Sequence, residues 1–373
     1  MKRLRKALFL LLSDPKCFLL RLRRQFLAPS FWLTKNIRRV YCFVVPNDKV
    51  RAPINGDRML FVYDTASSPI TFDFLNYLCY ADWQRRLSKR KHLDVLIVSR
   101  RNIEMNVDVE YQAAVTTDNL SWRITNLLVP LTRLFHSVSS CYITNEKTGF
   151  ELAKAYSCIH PSGYGYATPK TAVVKLDSPA FGYIPVIRVS DTARDIIRAY
   201  FPLSDTRRFI TITLRTYDFI PVRNSDIDSW VIFANELDTE KYRVIFIPDA
   251  SARGVSTIDA ITAKEIFEPA CWNLELRAAL YERSWMNMGV AGGPMAISAL
   301  MDHVRTIMID RSLDYPAEYR ENIRIDNGIT PGVTPRFCSP TCRYVLGVDN
   351  VETIRRAFNA WNESGERITR GAE

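Results

Sequence analysis

Short apolar runs alternating with helix-like stretches constrain this chain more than any other feature of its sequence. Residues 58–63 are continuously apolar after Arg58, and the polar stretch 64–69 follows. A run this short, with no polar alternation, predicts a strand buried on both faces. Residues 71–87 place Phe72, Leu75, Leu78, Cys79 and Trp83 near helical spacing. A second buried strand is predicted over 93–98, a helix capped by Asp118 over 119–135, and a third strand over 141–144. Strand, helix, strand with short connections requires parallel pairing and a helix-covered sheet.

The rhythm breaks over 157–187, where Gly163, Gly165, Pro161, Pro169, Pro179 and Pro185 accumulate, and restarts beyond it. Strands are predicted over 209–215, 242–248, 285–290 and 304–309. Helices are predicted over 194–201, 226–237, 274–283, 295–301 and 351–361. At 373 residues the chain exceeds one ordinary domain. The expected fold is therefore α/β, with two Rossmann-like domains, over 40–187 and 188–373, after a segment over 1–39.

That first segment holds the charge excess. The chain carries 50 Lys and Arg against 40 Asp and Glu, and residues 1–39 contain eleven of the bases and one acid, Asp14. The remainder is balanced at 39 of each, which excludes the basic stripe expected of a nucleic-acid-binding body. The apolar run 7–12 is shorter than the roughly 20 residues a membrane span needs. From Lys16 to Trp32, Phe18, Leu19, Leu22 and Phe26 interleave with Arg21, Arg23 and Arg24. This mixture reads as an amphipathic segment lying on an anionic membrane surface. A disordered basic tail and a core-docked helix are the plain alternatives. The eight cysteines are scattered, and Cys338 and Cys342 lack the second pair of ligands that a structural zinc site needs. Reduced thiols place the body in the cytoplasm, associated peripherally with the inner membrane face. Asp226-Ile-Asp228 spells a D-x-D motif, but acids at a helix start offset its dipole, and capping is the reading preferred here. No metal and no cofactor are expected.

Open parallel sheets bind ligands beyond the carboxyl ends of their strands. Arg215 ends the strand at 209–215, with Arg223 and Asn224 in the next loop, and Asp249 follows the strand at 242–248. Gly292 and Gly293 precede Pro294 at a helix start. Glycines there admit a phosphate to the backbone, and an arginine fork suits a diphosphate. The plain reading is a structural turn with arginines on solvated loops. In the first domain, Asp64 ends a strand facing the expected cleft. A reaction in which a hydroxyl attacks needs a base to take its proton. Asp64 is the first candidate, Asp73 the second and His160 the third; turn capping, a helix surface and linker orientation are their respective plain roles.

The stretches 209–215, 276–280, 286–289 and 292–294 resemble the GT-B glycosyltransferases, nearest to bacterial cell-envelope polysaccharide and lipopolysaccharide enzymes. The resemblance covers about residues 209–361, with the first domain matching only in general pattern. It implies a cleft between two Rossmann-like domains, with the nucleotide sugar held by the second domain and the acceptor by the first. By position, Arg215 and the turn from Gly292 to Met295 would bind the diphosphate, while Asn287, Met288 and Gly289 would approach the base or sugar. The expected activity is metal-independent transfer of a sugar from a nucleotide-diphosphate sugar to a lipid-linked or envelope polysaccharide acceptor. A sugar-nucleotide epimerase and a non-catalytic scaffold remain the alternatives.

Overall fold

Buried strands form the centres of two parallel sheets. The structure is a computed structural model that describes residues 56–99, 115–162, 164, 182, 185–217, 220–250, 261, 263–315 and 330–370. The basic segment 1–39 lies outside the described residues.

The first sheet contains β1 (Arg58–Asp64), β2 (His92–Val98), β3 (Val138–Thr144) and β4 (Ile159–His160), in the order β3-β2-β1-β4 with every pair parallel. β1 is central: Phe61 stands opposite Val95 on one side and His160 on the other. Leu60, Phe61, Val62 and Tyr63 are all buried, as the absence of alternation predicted. β3, which includes Ser139 and Ser140, is at the edge and largely half-buried or exposed.

Between these strands run α1 (Phe74–Leu87), α2 (Thr117–Arg123), α3 (Val129–Arg133) and α4 (Glu146–Ala153). Asp118 does not cap α2. Thr116 does, its hydroxyl accepting from the Asn119 amide while the Asn119 side chain returns a bond to the Thr116 amide. Both partners of this reciprocal box are satisfied, which favours the earlier start. A π-helical turn, Ile124–Leu128, joins α2 to α3. Pro130 explains it, because a proline ring clashes with the carbonyl four residues back and offers no amide to it.

The second sheet contains β5 (Arg208–Thr213), β6 (Tyr242–Ile247), β7 (Met286–Val290), β8 (Thr306–Asp310) and β9 (Cys342–Leu346), in the order β6-β5-β7-β8-β9, again all parallel. Its helices are α5 (Asp191–Tyr200), α6 (Ile227–Glu236), α7 (Leu274–Arg283), α8 (Met295–Ala299) and α9 (Val351–Arg370). Asp226 caps α6, accepting from the Ser229 amide and hydroxyl, so the D-x-D spelling marks a helix start. Both sheets belong to one compact unit, Pro53–Glu373. A single apolar cluster runs from Phe61 and Phe74 beside the first sheet to Leu280 and Met308 of the second.

β7 is buried at every position. At Gly289 an added Cβ would lie 2.6 Å from the Thr213 carbonyl and 3.2 Å from Met295 Cγ. Glycine here lets β7 approach both β5 and α8. Gly289→Ala is expected to lower stability by about 1–3 kcal/mol through overpacking. A denaturant midpoint equal to that of the wild type would show that the strand can shift to make room.

Candidate active site

Each sheet has one point where the chain reverses its direction of strand addition. In the first, β1 is flanked by β2 and β4; in the second, β5 is flanked by β6 and β7. Loops diverge at such a point and leave a crevice beyond the strand ends. The two crevices meet. Phe72, just before α1, reaches the turn after β7 so closely that a Cβ on Gly293 would lie 2.7 Å from its ring. Arg123, at the end of α2, donates to the Tyr217 hydroxyl in the loop after β5 and to the Ile70 carbonyl at 3.2 Å. Its guanidinium also stands 5.3 Å from the Tyr217 ring centre.

The result is a cleft of about 140 Å³, open to solvent. Phe72, Asp73 and Asn76 line it from the first half, and Arg223, Gly292, Asp310 and Tyr315 are among the residues facing them from the second. Asp73 is exposed at the N-cap of α1, yet its side chain makes no capping bond. Its carboxylate accepts instead from the Thr71 hydroxyl at 2.9 Å. An aspartate at this position ordinarily satisfies the first free amides of its helix. Here the group is held by a neighbour and kept at the cleft.

Of the three candidate bases, only Asp73 lines the cleft. Asp64 is fully buried and does not line the cleft. One of its oxygens accepts from the Ala66 amide at 3.0 Å and the other lies 3.5 Å from the Tyr164 hydroxyl. It shapes the turn after β1. His160 is also withdrawn, with its ring 6.0 Å from that of Phe61 and 5.6 Å from that of Tyr80. Its Nε2 is buried with no hydrogen-bond partner, and burial pushes its pKa down to about 4.

The arginines exchange places in the same way. Arg215 lies two residues beyond β5 and is 6% exposed. Its guanidinium donates to the Ile220 carbonyl at 3.3 Å and to the Asn224 side chain, so it organises the loop rather than facing the cleft. Asn224 also accepts from the Tyr217 amide at 3.0 Å. Arg223 is the cleft arginine: it stands 5.3 Å from the Tyr315 ring centre, with an amino group 3.5 Å from the Ala291 carbonyl. The turn that carries it starts at Ile220, whose φ of 53° is costly for a β-branched residue. Such strain persists only where the surroundings enforce it.

The turn after β7 contributes less than its sequence promised. α8 has only five residues, Pro294 has no amide to give, and the Ala296 and Ile297 amides already bond to Gly293 and Pro294. Met295 is buried. Gly292 is the open position: the nearest atom to an added Cβ is Arg215 Cδ at 3.5 Å. Asn287, Met288 and Gly289 do not reach the cleft. The Asn287 amide accepts from the Thr211 hydroxyl at 2.5 Å and donates to the carbonyls of Tyr281 and Arg305, and Met288 lies in the core. A central parallel strand is covered on both faces, and that removes all three from solvent. Asp249 follows β6 and accepts from the Thr216 and Ala250 amides at 3.2 and 2.7 Å. Burial raises its pKa above the usual carboxylate range, against the pull of Arg277, those amides and Arg215.

Phe72, Asn76, Asp310 and Tyr315 were not singled out from the sequence. Asp310 was within reach, because it ends β8 on the same carboxyl edge as the residues that were. Its oxygens accept from the Ser312 and Gly332 amides at 3.0 and 2.8 Å. Among the described residues, no group of three or more His, Cys, Asp or Glu is placed to hold a metal, and no helix is long and apolar enough to cross a membrane.

Neither a known family nor a curated protein matches the sequence. The structure is similar to that of a family 9 glycosyl transferase from Veillonella parvula, with 10% identity, 78% of this chain and 86% of that one covered, and a TM-score of 0.48. It is also similar to the ADP-heptose lipopolysaccharide heptosyltransferase II of E. coli, with 10% identity, coverage of 83% and 99%, and a TM-score of 0.47. A third similar structure is the glycosyltransferase SnogD of Streptomyces nogalater, with 12% identity, coverage of 81% and 91%, and a TM-score of 0.33.

The depressed pKa of His160 has a consequence for stability. A histidine with a pKa near 6.5 unfolded and about 4 folded favours the native state fully above pH 6.5. That contribution is lost as the pH falls from 6.5 to 4. His160→Gln is expected to show a shallower loss of stability across this window, by on the order of 3 kcal/mol. Parallel pH–stability curves for the two proteins would mean that His160 is not held neutral.

Proposed function

We propose that this chain is a glycosyltransferase that moves a sugar from a nucleotide-diphosphate sugar to a hydroxyl acceptor in the cleft between its two sheets. The uncapped Asp73 at the cleft wall, across from Arg223 and the Gly292 turn, carries the reading. Asp73 takes the proton of the acceptor hydroxyl as its oxygen attacks the anomeric carbon. The bond from that carbon to the diphosphate breaks, and its electron pair leaves with the diphosphate. Arg223 meets the developing charge, where a guanidinium can bind two phosphate oxygens at once. Open backbone at Gly292 leaves room for the phosphates. In this reading the guanidinium takes the place that a metal occupies in other transferases.

The acceptor is lipid-linked or part of an envelope polysaccharide, and the basic segment 1–39 holds the enzyme at the cytoplasmic face of the membrane. Eleven bases against one acid in that segment support this placement, since each base near an anionic surface contributes about 1 kcal/mol.

Asp73→Asn should lower turnover about 10²- to 10⁴-fold with the nucleotide sugar that most stabilises the wild type, leaving affinity for that donor intact. Turnover that survives the change would remove Asp73 as the base. Deleting residues 1–39 should abolish co-sedimentation with anionic vesicles, and undiminished binding by the shortened protein would contradict the membrane role.

A further inference from the structure

Arg277 is an anomaly that the proposed reaction does not by itself explain. It lies in the first turn of α7 with no exposed surface. Its hydrogen-bond partners are neutral: Nε donates to the Ala270 carbonyl at 2.7 Å, Nη2 to the Pro248 carbonyl at 2.9 Å and Nη1 to the Tyr281 hydroxyl at 3.3 Å. Among the described residues no carboxylate forms an ion pair with it. A guanidinium keeps its charge in a protein interior. Here the charge is buried without a direct counter-ion and sits at the positive end of a helix, where a cation is disfavoured. Local rules broken together in this way mark positions retained for a purpose other than stability.

Its surroundings indicate the purpose. Pro248, which it holds, precedes Asp249, and Asp249 accepts from the amide of Thr216, next to Arg215. Tyr281, its third partner, shares a 2.8 Å hydrogen bond with Thr213 at the end of β5. Two buried guanidiniums, Arg277 and Arg215, thus stand around one carboxyl group at the carboxyl ends of β5 and β6. Glu268, the other acid nearby, is exposed and screened by water. The sum is positive, in a setting where charge is weakly screened, at the switch point of the second sheet.

We propose that Arg277 is a positioning residue: a fixed buried positive charge beneath the second sheet that strengthens the binding of a diphosphate in the cleft, with Asp249 partly offsetting it. This rests on the diphosphate reading of the cleft given above. Arg277 touches no ligand. It acts through the loops at 214–216 and 248–250 and through its field.

The test is calorimetric titration of the full chain with inorganic pyrophosphate at low and high salt. The wild type should bind. Arg277→Met should bind about tenfold more weakly and Arg277→Lys within about threefold of the wild type, while Asp249→Asn should bind about three- to tenfold more tightly with a steeper salt dependence. A merely structural role for Arg277 would not make Asp249→Asn tighter. Arg277→Met that binds as well as the wild type overturns the proposal. If that variant fails to fold, Asp249→Asn decides, and no tightening overturns it. Arg223→Ala separates the two readings. Binding lost there but unchanged in the Arg277 and Asp249 variants sinks the role of Arg277 alone, whereas no binding by the wild type sinks both.

Discussion

The close contact of Phe72 with Gly293 is the constraint on which the site depends. It joins the turn before α1 to the turn after β7, and no side chain fits between them. Parallel sheets offer their ligand-binding edges only at one end. Two such edges make a shared cleft only if the loops beyond them touch without filling the space. A glycine at the contact and an aromatic ring opposite achieve this. The pairing of Arg123 with Tyr217 ties the same edges together a short way off. Asp73 is one residue from Phe72, and Gly292 is one residue from Gly293. The contact between the halves thus also sets which groups face each other.

Much of the fold was legible because the central strands are buried on both faces. β1 is apolar from Met59 to Tyr63 and β2 from Val95 to Val98, and all of these residues are buried. Elements with weaker burial were missed: β4 has two residues, and β9 is half-exposed at its sheet's edge. The carboxyl-edge rule pointed to the strand ends that border the cleft, but not always to the residues that line it. Asp64 and Asp73 are the same residue type on either side of one turn. Only the backbone shows that the first is enclosed by its own turn and the second is held open by Thr71. Arg215 and Arg223 were both candidates for the cleft, but the loop folds back so that the earlier arginine braces it. Asn287 and Met288 lie on the right strand, but nothing in their spacing shows that both faces of β7 are covered.

In the proposed reading, the electrostatics of the second half favour a bound anion over the empty fold. Arg215 and Arg277 are buried, and Asp249 is raised by burial yet still attracted by both. Guanidiniums buried in this way cost desolvation that one carboxyl group only partly offsets, and in the proposed reading a diphosphate bound nearby relieves that cost. The strained Ile220, which starts the turn carrying Arg223, fits the same picture of a loop held in place by its buried arginine. Stability has been given up here at positions surrounding the cleft, and the strands beneath are left conventional.

The central claim is that the cleft is a nucleotide-sugar site, and the most direct measurement is a thermal-shift screen against nucleoside diphosphates and their sugars. A ligand that binds only the native state must stabilise it. The account predicts that one nucleotide family raises the melting temperature and that Arg223→Ala abolishes the shift. A wild type indifferent to every nucleotide, or a shift that Arg223→Ala leaves untouched, would contradict it.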